Sequence, residues 1–239
     1  MTRFIALISG KGGVGKTTLT LALARSLSKL GKRVLVLDAN FETPNLALHL
    51  GLLQPKATLN QFLNKEKALQ NIIHEHEDCQ FAIIPTSPAL SDCRGNSSQN
   101  LSKIFDHLEN TYDFVLVDCP SGMGEKVSHV LQHTDEALLV VNPNTSSVME
   151  ALKSLELAKF HNNIVPGAVL NMSNTWSRHE LSSKNVEDTL GVQILARIKH
   201  DNKIRKALHR NMPITHMYPY SRSAKELNKI ASYLVMDEQ

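Results

Sequence analysis

Cysteine is scarce in this sequence, and the few that occur do not form a disulfide framework. The 239 residues include only Cys79, Cys93 and Cys119, with no CxxC pair among them. One thiol would be left over in any pairing, a pattern that fits a reducing compartment better than a secreted protein. The sequence therefore predicts a cytoplasmic protein.

Long apolar runs and a strong charge of one sign are also missing. No segment approaches the roughly 20 apolar residues of a transmembrane helix, and the N-terminus lacks the cleavage pattern of a signal peptide. The formal net charge is +3, too small to indicate nucleic-acid binding without a clustered patch. These absences argue against a membrane-spanning, secreted or DNA-binding protein.

Short apolar runs alternate with amphipathic segments along the whole chain, and no internal repeat or low-complexity linker interrupts them. Fully apolar strands in such an alternation are typical of a mainly parallel sheet covered by helices on both faces. We therefore predict an α/β fold with a doubly wound, three-layer α/β/α architecture, formed as a single domain by residues 1–239. The predicted strands are residues 4–8, 34–37, 81–84, 114–117, 137–141, 168–170 and 192–198; the clearest helices are 19–30, 147–160 and 224–235, and residues 92–99 are predicted to form an exposed loop.

A glycine-rich segment after the first predicted strand carries the clearest chemistry. Residues 10–17 match the phosphate-loop pattern GxxxxGK(S/T), and a predicted helix follows directly, as this motif requires. Glycines allow backbone N–H groups to surround phosphates, while Lys16 would contact the β- and γ-phosphates and the Thr17 hydroxyl would ligate Mg²⁺. The sequence thus predicts a P-loop NTPase fold that binds ATP or ADP with Mg²⁺. The residues predicted to hold the nucleotide are Gly10, Lys11, Gly12, Gly13, Val14, Gly15, Lys16, Thr17 and Thr18.

The same loop contains a second lysine, Lys11, that the pattern does not need. A lysine at the start of the loop cannot easily reach phosphates that its own chain surrounds, but it could reach phosphates held by another copy across a two-fold axis. The segment KGGVGKTT resembles the deviant phosphate loop of the MinD/ParA family of ATPases. This resemblance implies that Lys11 enters the partner's nucleotide site in an ATP-bound homodimer. A solvated surface charge is the alternative.

The resemblance to the MinD/ParA family extends over nearly the whole chain. Residues 37–52 (LDANFETPNLALHLGL) resemble its first switch segment, and residues 112–122 (YDFVLVDCPSG) resemble its second. Residues 140–148 (VVNPNTSSV) match the strand and loop that come next. Residues 198–214 (IKHDNKIRKALHRNMPI) resemble the late segment that closes over the base.

These matches assign roles to individual residues by resemblance. Asp118 ends an apolar strand and would orient Mg²⁺, with Asp38 supporting the water shell of the metal. The N–H of Gly122 would approach the γ-phosphate, so that loss of this phosphate would release the loop. Asn171, at the end of another strand, would contact the adenine ring. The predicted metal site therefore consists of Thr17, Asp38 and Asp118.

Three positions qualify this picture. Asn40 stands where the family usually carries an aspartate that positions or activates the attacking water, and asparagine can orient water but cannot take its proton. We therefore predict slow hydrolysis, with Lys11, Lys16, Asp38, Asn40 and Asp118 as the catalytic set. Asn45 is either a dimer-interface residue, by resemblance, or a helix N-cap. Lys199 replaces a proline that is frequent in relatives, which changes the local shape of the base-covering loop.

Other features favour ordinary structural roles. The segment HEHEDC, residues 74–79, offers soft metal ligands but is interleaved with acids, and we interpret it as a polar helix terminus. The basic run 199–210 is interpreted as a solvated face rather than a DNA-binding surface. The C-terminal segment ends in Asp237-Glu238-Gln239, unlike a basic membrane-binding helix, so its apolar stripe is predicted to pack on the sheet.

The function predicted from these residues is an ATP-dependent dimerisation switch with slow ATP hydrolysis. By resemblance it would position a division site or another polar structure, acting with a protein partner that could also recruit it to the membrane surface. The alternatives are a partitioning or flagellar-number regulator, a non-hydrolysing scaffold suggested by Asn40, and an iron–sulfur electron carrier. The last requires a symmetric pair of cysteines that this sequence does not offer at the family's spacing.

Overall fold

The apolar runs form the strands of one central sheet in the computed structural model, which describes residues 1–89, 101–174 and 180–236. Eight strands are found in these residues, in the order β3-β4-β2-β5-β1-β6-β7-β8. Every neighbouring pair is parallel except β3 with β4. The strands are β1 Arg3–Ile8, β2 Val34–Asp38, β3 His74–His76, β4 Phe81–Ile84, β5 Phe114–Asp118, β6 Glu136–Val141, β7 Ala168–Ser173 and β8 Ile194–Lys199.

Helices cover both faces of the sheet, because the strands are apolar on both sides. In β1, Ile5 and Leu7 pack into one hydrophobic layer, whereas Ala6 and Ile8 pack into the other. The first layer contains α1 and α11, and the second contains α5, α6, α7 and α8. The helices are α1 Lys16–Lys29, α2 Leu46–His49, α3 Leu59–Leu63, α4 Leu69–Ile72, α5 Leu101–Leu108, α6 Glu125–Leu131, α7 Thr145–Phe160, α8 Ser183–Leu190, α9 Asn202–Leu208, α10 Ile214–Met217 and α11 Arg222–Met236.

The predicted doubly wound fold is confirmed, and each predicted strand has its counterpart in the sheet. Helix α1 begins at Lys16 rather than residue 19, because the phosphate loop leads directly into it at Gly15. The C-terminal helix buries the predicted stripe, including Leu227, Ile230 and Leu234. No helix in residues 1–89, 101–174 or 180–236 is long and apolar enough to cross a bilayer. The predicted loop 92–99, Cys93 and residues 237–239 lie outside the described residues.

One secondary-structure prediction was wrong. Residues 74–76 form β3, an antiparallel strand at the edge of the sheet, and not a helix terminus. A short 3₁₀ turn, Glu77–Cys79, follows it. The segment is polar because an edge strand has one side open to water. The ring Nε2 of His74 lies 2.7 Å from the carbonyl oxygen of Ala57, which gives this side chain a structural partner.

A buried ion pair joins the centre of the sheet to the C-terminal helix. The guanidinium of Arg3 donates two hydrogen bonds to the carboxylate of Glu136, at 2.6 and 2.9 Å. It also donates to the carbonyl oxygen of Leu234 in α11. The two charged side chains are 18% and 7% exposed, so little water could replace either partner.

We therefore expect Glu136→Ala to destabilise the fold strongly, because it deprives the largely buried Arg3 of its carboxylate. The expected loss is about 3 kcal/mol in the free energy of unfolding, measured by urea titration. Lys229→Ala removes the exposed pair with Glu226 and is the matched control, with an expected loss below about 1 kcal/mol. Equal losses in the two variants would contradict this interpretation.

Candidate nucleotide-binding site

A cleft lies at the carboxyl ends of the central strands, where doubly wound sheets bind their ligands. It has a volume of about 320 Å³. Most of the loop 12–18 lines it, together with part of the segment 40–49 and Cys119, Ser121 and Met172. The predicted phosphate loop and both predicted switch segments therefore meet at one site.

Glycines shape the loop in two ways. Gly13 and Gly15 have φ of 76° and 96°, which favour residues without a Cβ. Gly15 is also the N-cap of α1 and has no side chain to cap it, so the first N–H groups of the helix are left for another acceptor. At Gly10 a Cβ would lie 2.3 Å from the backbone of Glu150 in α7, so the loop and this helix are in direct backbone contact. An anion at this helix terminus would find free N–H donors.

The two lysines of the loop occupy opposite environments. Lys16 is 9% exposed, and its ammonium donates to the hydroxyl of Ser9 at 2.7 Å. Burial lowers the pKa of Lys16, and the negative charge of Asp118 opposes this shift. Lys11 is exposed, and its ammonium has no hydrogen-bond or ion-pair partner among the described residues. One lysine is therefore directed into the chain's own site, and the other is available to a molecule outside it.

Two carboxylate side chains lie at the carboxyl ends of neighbouring strands, at paired positions. Asp38 of β2 and Asp118 of β5 are register partners, and both are buried. One oxygen of Asp118 accepts from the Thr17 hydroxyl at 2.6 Å, while its Oδ1 is buried without a partner. Burial raises the pKa of Asp118 to about 6, against the hydrogen bond from Thr17 and the charge of Lys16. Burial is the main cause that raises the pKa of Asp38, and the negative charge of Asp118 is the second.

Thr17 and Asp118 have the right chemistry for Mg²⁺. This ion takes oxygen ligands, keeps several waters, and is typically bound through one or two carboxylates together with substrate phosphates. The buried, unpartnered Oδ1 of Asp118 is an acceptor that a metal-bound water could satisfy. No group of three or more His, Cys, Asp or Glu side chains in the described residues is arranged to hold a metal ion, so phosphates would have to complete such a site. The His and Cys side chains of the segment 74–79 are among the residues in which no such group is found.

Asp38 mainly organises the first switch segment. Its carboxylate accepts from the backbone N–H of Asn40 at 3.0 Å and of Leu46 at 3.3 Å. The second contact lies at the start of α2, where Asn45 is the N-cap residue but makes no side-chain capping bond. Asp38 thus accepts a hydrogen bond from the first N–H of α2, which the side chain of Asn45 does not do. The metal-supporting role of Asp38 and the interface role of Asn45 stay predictions.

The side chain of Asn40 closes a turn within the same segment. Its amide donates to the carbonyl and the hydroxyl of Thr43, at 2.9 and 3.0 Å, and its oxygen accepts from the Thr43 N–H at 3.2 Å. An aspartate could accept from Thr43 but could not donate to its carbonyl. Close by, the ammonium of Lys126 in α6 contacts the carboxylate of Glu42 at 2.6 Å, which connects the first switch segment to the helix that follows the second.

Two predicted contacts are occupied by protein groups. The N–H of Gly122, predicted to approach the γ-phosphate, donates to the carbonyl of Ser9 at 3.0 Å. The side-chain amide of Asn171, predicted to contact adenine, donates to the carbonyl of Val14 at 2.7 Å. Its Oδ1 is buried without a partner. A groove of about 120 Å³ next to Asn171 extends to Lys199 and α9, which places the base-covering segment beside the phosphate loop.

Three residues of the site were missed from the sequence. His49 lines the cleft from α2, and burial lowers its pKa. Met172 lines both the cleft and the groove from a bulged end of β7, with a φ of 55°. Ser9 lies just before the glycine pattern and contacts both lysines of the loop. Ser9 directly precedes the motif and His49 lies within the predicted first switch segment, so both had a sequence signal, whereas Met172 had none.

Known proteins are similar to this chain in sequence and in fold. A family model, ParA, described as NUBPL iron-transfer P-loop NTPase, matches residues 1–235. An uncharacterized ATP-binding protein of Methanocaldococcus jannaschii is 33% identical over 231 residues, which cover 97% of this chain and 87% of that protein. The cell division ATPase MinD of Pyrococcus furiosus is 30% identical with a TM-score of 0.93, and 99% of each chain is covered. The septum site-determining protein MinD of Pyrococcus horikoshii, solved with Mg-ADP, is 29% identical with a TM-score of 0.93, covering 98% of this chain and 96% of that one.

The buried carboxylate predicts a pH dependence of stability in the absence of nucleotide and divalent cations. Because the pKa of Asp118 rises from 3.8 to about 6 on folding, the folded chain keeps a proton that the unfolded chain releases in this interval. The contribution of this group to stability is therefore present below about pH 4 and lost as the pH rises through about 6.

Asp118→Asn removes this titration and should be more stable than the unsubstituted chain at pH 7. The expected gain is on the order of 2–3 kcal/mol, and it should shrink as the pH falls towards 4. Urea unfolding of both proteins with a chelator present, from pH 4 to pH 7.5, measures the difference. A difference that does not change with pH would show that Asp118 does not titrate in this range.

Proposed function

Because the chain belongs to the ParA family of P-loop NTPases, we propose that it is an ATPase whose nucleotide state controls its dimerisation. ATP with Mg²⁺ would favour a two-fold dimer, and slow hydrolysis to ADP would dissolve it. The closed dimer would present a composite surface to a protein partner. The similar Pyrococcus proteins are named for septum-site determination and cell division. On this basis we assign the chain to the spatial positioning of a division site or another polar structure.

The contrast between Lys11 and Lys16 is the observation that carries the proposal. Both belong to one short loop, yet Lys16 is buried against Ser9 while Lys11 is exposed and without a partner in the described part of the chain. A single phosphate site needs only the buried lysine. An exposed ammonium at the rim of that site can neutralise phosphate charge on a second copy, and only in the dimer. ATP carries more of that charge than ADP does, so it should favour the dimer more.

Three exposed methionines adjoin parts of the site and support an interface. Met123 follows Gly122, whose N–H binds Ser9; Met149 precedes Glu150, which contacts Gly10; and Met172 lines the cleft. The three side chains are between 43% and 50% exposed. Exposed methionines are frequent at surfaces that bind partners, since their flexible side chains adapt to the facing surface. The surroundings of the site therefore offer apolar contacts as well as charge.

Within one protomer, the residues of the site divide the work of phosphoryl transfer. Lys16 and the first N–H groups of α1 would bind the phosphates, and Thr17 and Asp118 would hold Mg²⁺, which supplies charge neutralisation on the phosphates when bound. Asn40 would orient the attacking water without taking its proton. Because the side chain of Asn40 is already held by Thr43, it is only partly available for this role. We therefore expect slow turnover of ATP. In the limiting case the chain does not hydrolyse ATP at all and acts as a scaffold.

Iron transfer is the second candidate, because the description of the matching family names it. Clusters are held by thiolates. In the described residues, Cys79 and Cys119 are free and buried, and burial raises the pKa of both thiols, that of Cys79 to about 11. Thiols in such surroundings are inert. Cys93 lies outside the described residues. The geometry of the described part therefore favours the ATPase switch.

We expect the purified chain to be a monomer with Mg-ADP and a dimer with Mg-ATP or a slowly hydrolysed analogue. Lys11→Ala should weaken the ATP-bound dimer by tenfold or more, because the substitution removes a charge-assisted contact to phosphate. It should leave nucleotide affinity of the monomer nearly unchanged. Size-exclusion chromatography with light scattering, over a range of protein concentrations, measures the dissociation constant.

Two controls sharpen this experiment. Lys67→Ala removes an exposed lysine outside the cleft and should leave the dimer unchanged. A mixture of Lys11→Ala with Lys16→Ala should form a mixed dimer, because the first subunit binds ATP and the second supplies Lys11. A chain that stays monomeric at saturating ATP, or a Lys11→Ala variant that dimerises normally, would refute the proposal.

Asn40→Asp should increase the rate of phosphate release several-fold at saturating ATP, because a carboxylate can both orient water and accept its proton. It should also loosen the turn with Thr43, at a cost of about 1 kcal/mol in stability. The assay is steady-state phosphate release with Lys16→Ala as the blank. A rate of the unsubstituted chain equal to that blank would identify a scaffold rather than an ATPase.

A further inference from the structure

Ser9 joins three parts of the site through separate atoms. Its hydroxyl accepts a hydrogen bond from the ammonium of Lys16 at 2.7 Å and donates one to the backbone carbonyl of Lys11 at 2.8 Å. Its own carbonyl accepts from the N–H of Gly122 at 3.0 Å. The residue is 1% exposed, so water cannot substitute for these contacts. A single buried serine therefore touches both lysines of the loop and the second switch segment.

The chemistry of a hydroxyl suits this position. A serine hydroxyl can accept from one group while it donates to another, and here it does both. The ammonium of Lys16 has three donors. Its bond to Ser9 uses one of them and leaves two for phosphate oxygens. Because the donor is charged and buried, this bond is stronger than an ordinary hydrogen bond between neutral groups.

Other buried hydroxyls, in α1, make a different kind of contact. Thr20 and Ser28 of α1 donate to the carbonyls of Lys16 and Ala24, each four residues earlier in the same helix. These bonds lie within a helix that its backbone already stabilises. Ser9 instead lies in the loop between β1 and α1, where the side chain itself fixes the positions of its neighbours. Loss of its hydroxyl should therefore affect the site more than the fold.

We propose that Ser9 is a positioning residue that sets both lysines of the loop: Lys16 for the chain's own phosphates and Lys11 for those of the partner. Its hydroxyl orients the Lys16 ammonium towards the cleft and fixes the backbone at Lys11, from which the exposed side chain extends. The Lys11 part rests on the dimerisation proposed above. The Lys16 part does not, because it concerns nucleotide binding by a single chain.

The test separates the two parts with one substitution in two backgrounds. In the Lys11→Ala background, the side chain proposed to act on the partner is absent, so affinity for a fluorescent Mg-ADP reports on nucleotide binding by the chain's own site. There, the additional change Ser9→Ala should weaken binding about tenfold, whereas Ser9→Thr, which keeps the hydroxyl, should stay within about threefold of the parent. In the otherwise unsubstituted chain at saturating ATP, Ser9→Ala should also weaken the dimer about tenfold. Ser28→Ala is the matched control and should change neither quantity.

Urea unfolding of the same proteins shows whether the fold is affected. The unfolding midpoint of Ser9→Ala should differ little from that of Ser28→Ala, since both lose one buried hydroxyl. Unchanged Mg-ADP affinity in Ser9→Ala, or a loss equal to that in Ser28→Ala, would overturn the proposal. If the unsubstituted chain does not dimerise with ATP while Ser9→Ala still weakens Mg-ADP binding, the dimer proposal fails and the positioning of Lys16 stands.

Discussion

Side chains of opposite charge are buried next to one another at one end of the sheet, and the site depends on this constraint. Lys16, Asp38 and Asp118 lie at the carboxyl ends of the central strands, nearly without access to water. Charges in such surroundings are costly unless they are paired or bind a ligand. The chain satisfies them in part, through Ser9, Thr17 and the N–H groups of the first switch segment, and leaves Oδ1 of Asp118 without a partner. The site is thus incomplete as a structural element, and a phosphate with its metal ion would complete it.

Much of the fold could be predicted from the sequence because its signals are local. Strands buried on both faces consist of continuous apolar residues, as in 114–117, and the glycine pattern marks the start of α1. The edge strand β3 was missed because its three residues are polar and pair with a single neighbour. Its pairing with β4 depends on tertiary structure, which a pattern of alternating residues in so short a segment does not reveal.

The site was only partly predictable, because several of its contacts cross long distances in the sequence. The loop and the two aspartates follow from motif and strand ends. The contact of Asn171 with Val14 and that of Gly122 with Ser9 could not be foreseen, since each joins segments more than a hundred residues apart. His49 lies within the segment 37–52 but was not singled out there, and Met172 comes from a bulge in β7 outside any motif. Asn40 was recognised as a departure, but its bonds with Thr43 became visible only in three dimensions.

The proposed switch requires that the exposed lysine of the loop acts between chains, while the buried one acts within its own. The most direct measurement is a crystal structure of the chain with Mg²⁺ and a non-hydrolysable ATP analogue. We expect a two-fold dimer in which Nζ of Lys11 lies about 3 Å from a phosphate oxygen bound to the other subunit. A structure in which this ammonium faces solvent, or binds only the nucleotide of its own chain, would contradict it.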